Sequence, residues 1–334
     1  MVTHIDFISD TRDFLLSLKQ HQMVLLIDGN IQPLYESMFD DFDKIIVPHG
    51  ETSKRIHLIE EIAEMLVDMG YQRDTLLVGV GGGVVTDIAG FAATVFMRGV
   101  RFGFIPTSLT GMCDAAIGGK NGVNAAGIKN LIGTIRQPEF IAVDTAFLET
   151  LQDIDFRSGM AEVIKHAFIS GTDFVRFLKD STSLILDKHP ATLKKMIQLS
   201  ESAKHEIVIQ DVDDNDQRHL LNFGHTIGHA LESLTGKSHG ECVAAGMNMA
   251  ARIAVNLKHC EEHIAQTIHE LTLSFGLPDY IDFDAQELMK FIAGDKKKRE
   301  NHIRFIIPIV PGECRIIKMD ESVLFSHLKK LQSE

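Results

Sequence analysis

The stretch TLLVGVGGGVVTDIAGFAAT, residues 75–94, decides the fold class of this chain. Its first part, TLLVGV, is a short apolar run typical of a buried strand. Gly81, Gly82 and Gly83 follow, and a helical pattern that contains Asp87 comes next. Glycines at a strand-to-helix turn let the backbone approach a pyrophosphate, and the helix N-terminus adds amide donors and positive potential. The stretch therefore predicts a dinucleotide-binding turn, although it departs from the GxGxxG spacing and also fits a purely structural turn.

Short apolar runs on both sides of this stretch predict a parallel sheet. Further strand candidates are Val24–Asp28, Lys44–Pro48, Arg101–Pro106 and Phe140–Asp144. Between Ser53 and Met69, apolar residues recur at helical spacing. Because strands and helices alternate in this way, we predict an α/β domain over residues 1–150, with a parallel sheet and helices on both faces.

The second half of the chain has a different pattern. Long helical patterns cover Leu193–Ile209 and Gly240–Leu257, and one β-type segment, His302–Lys318, is interrupted at Pro308 and at Pro311-Gly312. We therefore predict a mostly helical domain over residues 151–334, with the boundary between Leu151 and Arg157. Ligand sites form preferentially at domain interfaces, so we expect the active site in the cleft between the two domains.

Length and composition limit the class of protein. A chain of 334 residues exceeds the usual size of one hydrophobic core and favours two domains. The net charge of -13 argues against general binding to nucleic acid or to an anionic membrane, but it allows a phosphorylated ligand in a basic cleft. The four scattered cysteines and the lack of a signal peptide or long uncharged apolar segment predict a soluble, cytoplasmic protein.

Two histidines, His225 and His229, stand four positions apart in the segment NFGHTIGH, residues 222–229. In a helix this spacing places both imidazoles on one face, as a metal site requires, although ordinary core and surface helices carry such pairs too. Thr226 follows the first histidine where a zinc metalloprotease needs glutamate, so that class is disfavoured. A third histidine, His239, stands at the start of the next helical pattern.

Glu162 and Lys165 lie three positions apart among small and apolar residues. A carboxylate and an ammonium group in such surroundings are partly buried and need partners or a metal, and a simple intrahelical ion pair would also account for them. One glutamate and two histidines suit Zn2+ or a similar divalent ion that keeps an open position. The spacing alone does not decide which of the three histidines bind the ion.

Several stretches, taken in chain order, resemble the 3-dehydroquinate synthase family. They are GGGVVTDIAGFAATVFMRGV (81–100), PTSLTGMCDAAIGGKNGVN (106–124), GIKNLIG (127–133), SGMAEVIKHA (158–167), LLNFGHTIGHALE (220–232) and SHGECVAAGM (238–247). The resemblance extends from Asp28 to about Arg299. So many motifs in the order of the family are far more specific than any one of them.

The resemblance implies two domains, NAD+ bound between them, one Zn2+ or Co2+ ion, and a homodimer. The implied metal ligands are Glu162, His225 and His239. The implied contacts of NAD+ are Asp28, Asn30, Glu51, Lys54, Gly81, Gly82, Gly83, Asp87, Thr107, Lys129 and Thr150. The implied catalytic residues are Asp114, Lys120, Lys165, Lys204, Arg218 and His229. The implied substrate-binding residues are Asn130, Asn222, Lys297 and Arg98, of which the arginine would reach into the site of the neighbouring subunit.

The activity implied by the resemblance is the conversion of 3-deoxy-D-arabino-heptulosonate 7-phosphate to 3-dehydroquinate and phosphate, a step of the shikimate pathway to aromatic amino acids. It proceeds by transient oxidation, phosphate elimination, reduction and intramolecular aldol closure, so NAD+ is regenerated in each turnover. Alternatives are another sugar phosphate cyclase, or a metal-dependent polyol or glycerol phosphate dehydrogenase that consumes NAD(H) stoichiometrically. A catalytically inactive homologue that serves as a binding module is disfavoured, because all the implied metal ligands are present.

Two single positions and one short segment depart from the family pattern. Thr86 stands where the glycine loop has a further glycine, Asp214 stands where glutamate is usual, and Met112–Ala116 replaces a more polar, serine-bearing pattern. These changes could retune the substrate pocket. The retained GGK at 118–120 and GVN at 122–124 favour a dehydroquinate synthase over the other cyclases.

Overall fold

The computed structural model describes residues 3–19, 21–211, 217–294 and 302–333. The chain forms two compact units, Met1–Gln152 and Asp153–Glu334.

The first unit is built on a parallel sheet. Its strands are β1 (His4–Phe7), β2 (Met23–Asp28), β3 (Lys44–Val47), β4 (Leu76–Gly81), β5 (Arg101–Pro106), β6 (Lys120–Ala125), β7 (Ile128–Ile135) and β8 (Phe140–Val143). Six of them form the sheet in the order β1-β8-β5-β4-β2-β3, with every neighbouring pair parallel. β6 and β7 pair antiparallel in a separate hairpin.

The five predicted strands are confirmed, and their apolar runs explain why they pair as they do. Every residue of β2 and of β4 is buried. Strands of a parallel sheet that is covered on both faces are continuous apolar runs rather than alternating ones. β1 and the β6–β7 hairpin were not predicted, because β1 is short and β7 is largely exposed.

The helices of the first unit are α1 (Thr11–Ser17), α2 (Glu36–Phe39), α3 (Ile56–Asp68) and α4 (Gly83–Val95). The predicted helix between Ser53 and Met69 is α3, which buries Ile59, Ile62 and Leu66. It begins later than predicted because Glu51–Ser53 forms a separate 3-10 turn. A π-helical turn, Gly111–Ala115, follows β5.

The second unit is mostly helical. Its helices are α5 (Asp153–Ser170), α6 (Thr172–Asp180), α7 (Thr182–Leu186), α8 (Pro190–Gln210), α9 (His225–Thr235), α10 (His239–Asn256), α11 (Glu262–Ser274), α12 (Ala285–Gly294) and α13 (Glu321–Ser333). The strands β9 (His302–Val310) and β10 (Glu313–Asp320) form an antiparallel hairpin. Across the described parts of the chain, none of the helices is long and apolar enough to cross a membrane.

Pro308 does not interrupt the β-type segment, contrary to the prediction. It lies inside β9 and pairs with Cys314 at an irregularity in the register. In a two-stranded hairpin each strand is an edge strand, so the missing N–H of a proline need not break the ladder. The turn predicted at Pro311-Gly312 is confirmed, since those residues connect β9 to β10.

Candidate active site

The carboxyl ends of β2 and β4 lie side by side in the first unit. β2 ends at Asp28 and β4 at Gly81, and Ile27 pairs with Val80. The chain leaves β2 toward β3 on one side of the sheet and leaves β4 toward β5 on the other. Open parallel sheets bind ligands at such a switch point, outside the carboxyl ends of the strands. The predicted dinucleotide residues Asp28 and Gly81 therefore lie at the edge where a ligand is expected.

The glycines of the loop have unequal surroundings. A Cβ atom at Gly79 would lie 2.7 Å from Cβ of Ala89, and one at Gly81 would lie 2.7 Å from Cβ of Val85. These two glycines thus allow α4 to pack closely on β4. Gly82 is the N-cap of α4, and an added Cβ there would lie 3.2 Å from Oγ of Ser108, the end of a side chain. Packing alone accounts for Gly79 and Gly81, whereas Gly82 is less constrained.

Thr86 lies inside the first turn of α4 rather than in the loop. Its side chain is buried, and its hydroxyl donates a hydrogen bond to the carbonyl oxygen of Gly83 at 3.0 Å. A helical position accommodates a β-branched residue at small cost. The helix therefore tolerates threonine at this position, where the family pattern has glycine.

Three of the predicted residues of the first unit meet around a fourth, a buried lysine. The Lys54 ammonium donates to Oδ2 of Asp87 at 2.6 Å and to Oδ1 of Asn130 at 2.5 Å, and it lies 3.9 Å from Oε1 of Glu51. Lys54 is only 4% exposed, so these polar partners compensate for its loss of water. Lys54, Asp87 and Glu51 were implied as contacts of NAD+, and Asn130 as a contact of the substrate.

The other predicted NAD+ contacts are spread along the same unit. Asp28 accepts a hydrogen bond from the backbone N–H of Asn30 at 2.8 Å. The buried Thr107 donates its N–H to the carbonyl oxygen of Gly81 at 2.9 Å. Lys129 is exposed on the β6–β7 hairpin.

Two residues that the sequence did not single out contact predicted ones. Nδ1 of His49 lies 3.1 Å from Oδ1 of Asp28. The Tyr35 hydroxyl lies 2.8 Å from Oγ1 of Thr150, and the Tyr35 ring packs edge-on against Phe147. Each stands alone in a loop outside any motif, so no sequence signal pointed to it.

Asp114, Lys120 and Arg98 also belong to the first unit. Asp114 is half-buried in the π-helical turn, a local structure that is frequent at functional sites. Lys120 is exposed at the start of β6. Arg98 is exposed and has a positive φ of 66°, as does the preceding Met97 at 48°. Two such residues in succession are uncommon outside functional or strained segments.

The second unit brings one carboxylate and two imidazoles together. Oε1 of Glu162, on α5, lies 3.0 Å from Nε2 of His239 and 3.4 Å from Nε2 of His225. The three ligand atoms all lie within 4.8 Å of one another. Lys165 places its ammonium 2.5 Å from Oε2 of Glu162, and both side chains are almost completely buried.

Helix packing produces this convergence. His225 and His239 are the first residues of α9 and α10. An added Cβ at Gly246 would lie 2.2 Å from the carbonyl oxygen of Gly224, so the two helices approach closely at these glycines. The start of α10 is fixed by a capping box, in which Ser238 and Glu241 satisfy each other's backbone N–H groups.

His229 lies beside this group but outside it. Its ring centroid is 5.1 Å from that of His225 and 5.8 Å from that of His239. Spacing left the choice among the three histidines open, and the geometry groups His225 and His239 with Glu162.

The charges in the cluster are strongly coupled. Burial alone would raise the pKa of Glu162, but attraction to Lys165 and His225, with hydrogen bonds to His225 and His239, holds it well below its usual range. Burial lowers the pKa of His239, but hydrogen bonds to Glu162 and Glu232 outweigh it and raise the pKa to about 9. Desolvation and the two neighbouring imidazoles lower the pKa of His229 to about 3, although the residue is exposed. His229 is therefore uncharged at neutral pH.

These donors fit a divalent cation. Nδ1 of His239 lies 3.2 Å from Oε2 of Glu232, and Nδ1 of His225 lies 3.2 Å from the carbonyl oxygen of Phe223. Both acceptors hold a proton on Nδ1, so Nε2 of each ring, which faces Glu162, becomes a ligand atom when its own proton is released on metal binding. One carboxylate oxygen and two imidazole nitrogens with an open position are typical of catalytic zinc.

The remaining predicted residues of the second unit lie on other elements. Lys204 is buried on α8. Arg218 is buried in the 3-10 turn Gln217–Asn222, and its backbone N–H donates to Oδ2 of Asp211 at 3.0 Å. Asn222, at the end of that turn, is exposed. Lys297 and Asp214 lie outside the described residues.

Sequence reasoning missed three polar residues of this unit. Glu232 contacts His239 and stands seven positions after His225, a helical spacing that could have revealed it. His166 and Ser200 form a buried hydrogen bond of 2.7 Å between Nδ1 and Oγ, for which their separation in the chain offered no signal.

Comparison with known proteins assigns the chain to a family. The 3-dehydroquinate synthase N-terminal model matches residues 44–158, and the corresponding C-terminal model matches residues 159–298. A 3-dehydroquinate synthase of Thermoanaerobacter sp. is 37% identical over 325 residues, which cover 93% of this chain and 91% of that protein.

Two solved structures share the fold. One is 2-epi-5-epi-valiolone synthase from Streptomyces hygroscopicus with NAD+ and Zn2+ bound, at a TM-score of 0.90, 22% identity, and coverage of 100% and 97% of the two chains. The other is 2-deoxy-scyllo-inosose synthase complexed with carbaglucose-6-phosphate, NAD+ and Co2+, at a TM-score of 0.87, 24% identity, and coverage of 98% and 96%. Because the family models match most of its length and its sequence relatives carry the same name, the chain belongs to the 3-dehydroquinate synthase family.

Proposed function

We propose that this chain is a 3-dehydroquinate synthase, a carbon–oxygen lyase that converts 3-deoxy-D-arabino-heptulosonate 7-phosphate to 3-dehydroquinate and phosphate. The observation that carries the proposal is the convergence of Glu162, His225 and His239, in a chain that matches the family over most of its length. Residues 1–150 would be the NAD-binding domain and residues 151–334 the metal- and substrate-binding domain.

Glu162, His225 and His239 would hold Zn2+ or Co2+, which the related cyclase structures contain. When bound, such an ion lowers the pKa of a substrate hydroxyl that coordinates it. Glu232 and the carbonyl of Phe223 keep the two imidazoles in the tautomer that this role needs. The ion pair with Lys165 keeps Glu162 ionised in its buried position.

Residues of the first unit, several of which follow the carboxyl ends of the sheet strands, would bind NAD+. They are Asp28, Asn30, Glu51, Lys54, Gly81, Gly82, Gly83, Asp87, Thr107, Lys129 and Thr150. NAD+ supplies a hydride acceptor that is regenerated within the cycle. The position of Asp28 and the glycine turn at a topological switch point supports this assignment.

Cationic side chains would bind the carboxylate and phosphate of the substrate. Lys165, Lys204 and Arg218 are buried, and ionic interactions are stronger where water is excluded. Lys120 and Lys297 would add charge, and Asp114, Asn130 and Asn222 would contact hydroxyl groups. His229 is uncharged at neutral pH, so a ring nitrogen can accept a hydrogen bond from a substrate hydroxyl.

The proposal includes a homodimer, in which Arg98 would enter the site of the partner. Exposed apolar side chains on the same unit support it: Ile128 is 52% exposed, Leu131 52% and Ile135 51%. Apolar side chains that are exposed along one strand can be buried against a partner subunit. The four cysteines are free thiols, which is typical of cytoplasmic proteins and supports the proposed cytoplasmic location.

The decisive experiment supplies the heptulosonate phosphate, a catalytic amount of NAD+ and Zn2+, and follows released phosphate and the mass of the product. We expect many phosphates per NAD+ and no lasting NADH absorbance. The Glu162→Gln protein is the matched control and should release none. Absence of turnover with this substrate would contradict the proposal, and stoichiometric accumulation of NADH would instead favour a polyol or glycerol phosphate dehydrogenase.

A second candidate function is cyclisation of a different sugar phosphate, since the two structural neighbours are such cyclases. The same assay with their substrate classes discriminates. Turnover confined to a sugar phosphate that lacks the carboxylate would identify the chain as one of those cyclases.

A further inference from the structure

The β6–β7 hairpin is irregular opposite Asn124. Val123 pairs with Ile132 and Ala125 pairs with Ile128, so Asn124 alone faces residues 129–131. Such a bulge bends the strand and redirects side chains, and bulges are frequent next to active sites. Lys129 and Asn130, two of the proposed ligand-binding residues, lie in this bulge.

Asn124 connects the hairpin to the segment around Lys54. Its backbone N–H donates to the carbonyl oxygen of Lys54 at 2.8 Å. Its side-chain Nδ2 donates to Oε1 of Glu51 at 2.7 Å, and its Oδ1 accepts the backbone N–H of Asn130 at 2.8 Å. The half-buried side-chain amide thus uses its nitrogen to bind the segment around Lys54 and its oxygen to bind the hairpin.

Asn130 depends on this contact for its conformation. Its φ is 54°, in the left-handed region that asparagine tolerates better than most residues but that still needs support. In a bulge the extra backbone N–H groups lose their strand partners, and Oδ1 of Asn124 supplies the acceptor for Asn130. The Asn130 side chain is held in turn by the ammonium of Lys54 at 2.5 Å.

We propose that Asn124 is a positioning residue that holds Asn130 for the substrate and Glu51 for the nucleotide through the two ends of one amide. This inference rests on the proposed function for the roles of Asn130 and Glu51. The Asn124 side chain itself does not act on the substrate in this scheme. It replaces the regular strand pairing that the bulge removes.

The test exploits the polarity of the amide. Asn124→Ala removes both side-chain bonds. Asn124→Asp keeps the acceptor for Asn130 but places a carboxylate against Glu51. Adding Glu51→Gln to that variant restores a donor and acceptor pair with reversed direction, and Glu51→Gln alone is the reference for any direct effect at that residue.

We expect Asn124→Ala to raise the KM for the heptulosonate phosphate about tenfold with a smaller effect on kcat, as for loss of a binding contact. Asn124→Asp should raise this KM similarly, and the KM of the double variant should lie within about threefold of that of Glu51→Gln. A merely structural role would lower the active fraction, and hence kcat, without this recovery. An unchanged KM in Asn124→Ala, or a double variant no better than Asn124→Asp, would overturn the inference.

Amide exchange of residues 126–133, followed by mass spectrometry, gives a readout independent of activity. Exchange in this segment should become about tenfold faster in Asn124→Ala and slow again in the double variant relative to Asn124→Asp. Unchanged exchange would refute the positioning of Asn130 even in an active enzyme. If the unmodified protein shows no turnover while exchange responds as expected, the proposed function fails and the support of Asn130 by Asn124 stands.

Discussion

The carboxylate of Glu232 lies 3.2 Å from Nδ1 of His239. The opposite ring nitrogen, Nε2, lies 3.0 Å from Oε1 of Glu162. The imidazole is therefore oriented between two carboxylates, one on α9 and one on α5. A carboxylate in the position of Glu232 fixes the tautomer of a metal-binding histidine and increases its basicity.

We expect Glu232→Ala to weaken binding of Zn2+ by about 10-fold to 100-fold, because His239 would lose the acceptor that orients it. Glu232→Gln keeps a carbonyl oxygen that accepts the Nδ1 proton, so it should lose less affinity for Zn2+. Competition with a chromophoric chelator measures the affinity directly. Glu262→Ala, in the first turn of α11, is the control, and an equal loss in both alanine variants would argue against a specific role.

The choice among the histidines can be tested by metal content. Glu162→Gln, His225→Ala and His239→Ala should each abolish stable metal binding, since each removes one of three donors. His229→Ala should retain about one ion per chain, because its ring lies beside the group of ligand atoms rather than in it. Elemental analysis after gel filtration gives the answer. Full occupancy in the first three variants would contradict the ligand assignment.

Stability should depend on pH through Glu201, a buried residue of α8. Burial raises its pKa from 4.5 to about 8, so the folded protein keeps a proton that the unfolded chain releases. The free energy of unfolding should therefore fall as pH rises from 4.5 to about 8. At neutral pH, Glu201 lowers it by about 3 kcal/mol.

Glu201→Gln is uncharged at every pH and should remove this dependence. Urea titrations of both proteins at several pH values across that window measure it, and the difference between them should grow with pH. Glu206→Gln, exposed on the same helix, is the matched control. Parallel pH profiles for Glu201→Gln and the unmodified protein would show that Glu201 is ionised in the folded state.

Subunit mixing tests the role proposed for Arg98. Arg98→Ala and Lys120→Ala should each be inactive or nearly so. A hybrid dimer of the two has one complete site if Arg98 serves the partner, so random exchange should restore about a quarter of the activity. No recovery after verified exchange would place Arg98 in the site of its own subunit or outside any site.

Substitutions at two glycines near the turn should affect packing and ligand binding separately. Gly79→Ala places a Cβ atom 2.7 Å from that of Ala89 and should destabilise the fold by roughly 1–3 kcal/mol. Gly82→Ala meets only the movable end of Ser108 and should leave stability nearly unchanged while weakening NAD+ binding. Thermal unfolding and titration with NAD+ distinguish the two effects. Normal affinity in Gly82→Ala would count against a nucleotide role for this turn.

Local patterns in the sequence determined much of the fold. The apolar run from Thr75 to Val80 predicted β4, and the helical spacing after Ser53 predicted α3, because burial and periodicity act over a few neighbouring residues. The same reasoning failed for the hairpin that holds Asn124, since β7 is largely exposed and the bulge follows from cross-strand pairing.

The candidate metal site depends on both the sequence and the tertiary structure, in different ways. The sequence by itself determined that Glu162, His225, His229 and His239 carry suitable donor atoms on helices, since residue type and helical spacing are local properties. Only the tertiary structure decided which donors converge. The close approach of α9 and α10 at Gly224 and Gly246 places His225 and His239 against Glu162, and no local rule specifies contacts between residues so far apart in the chain.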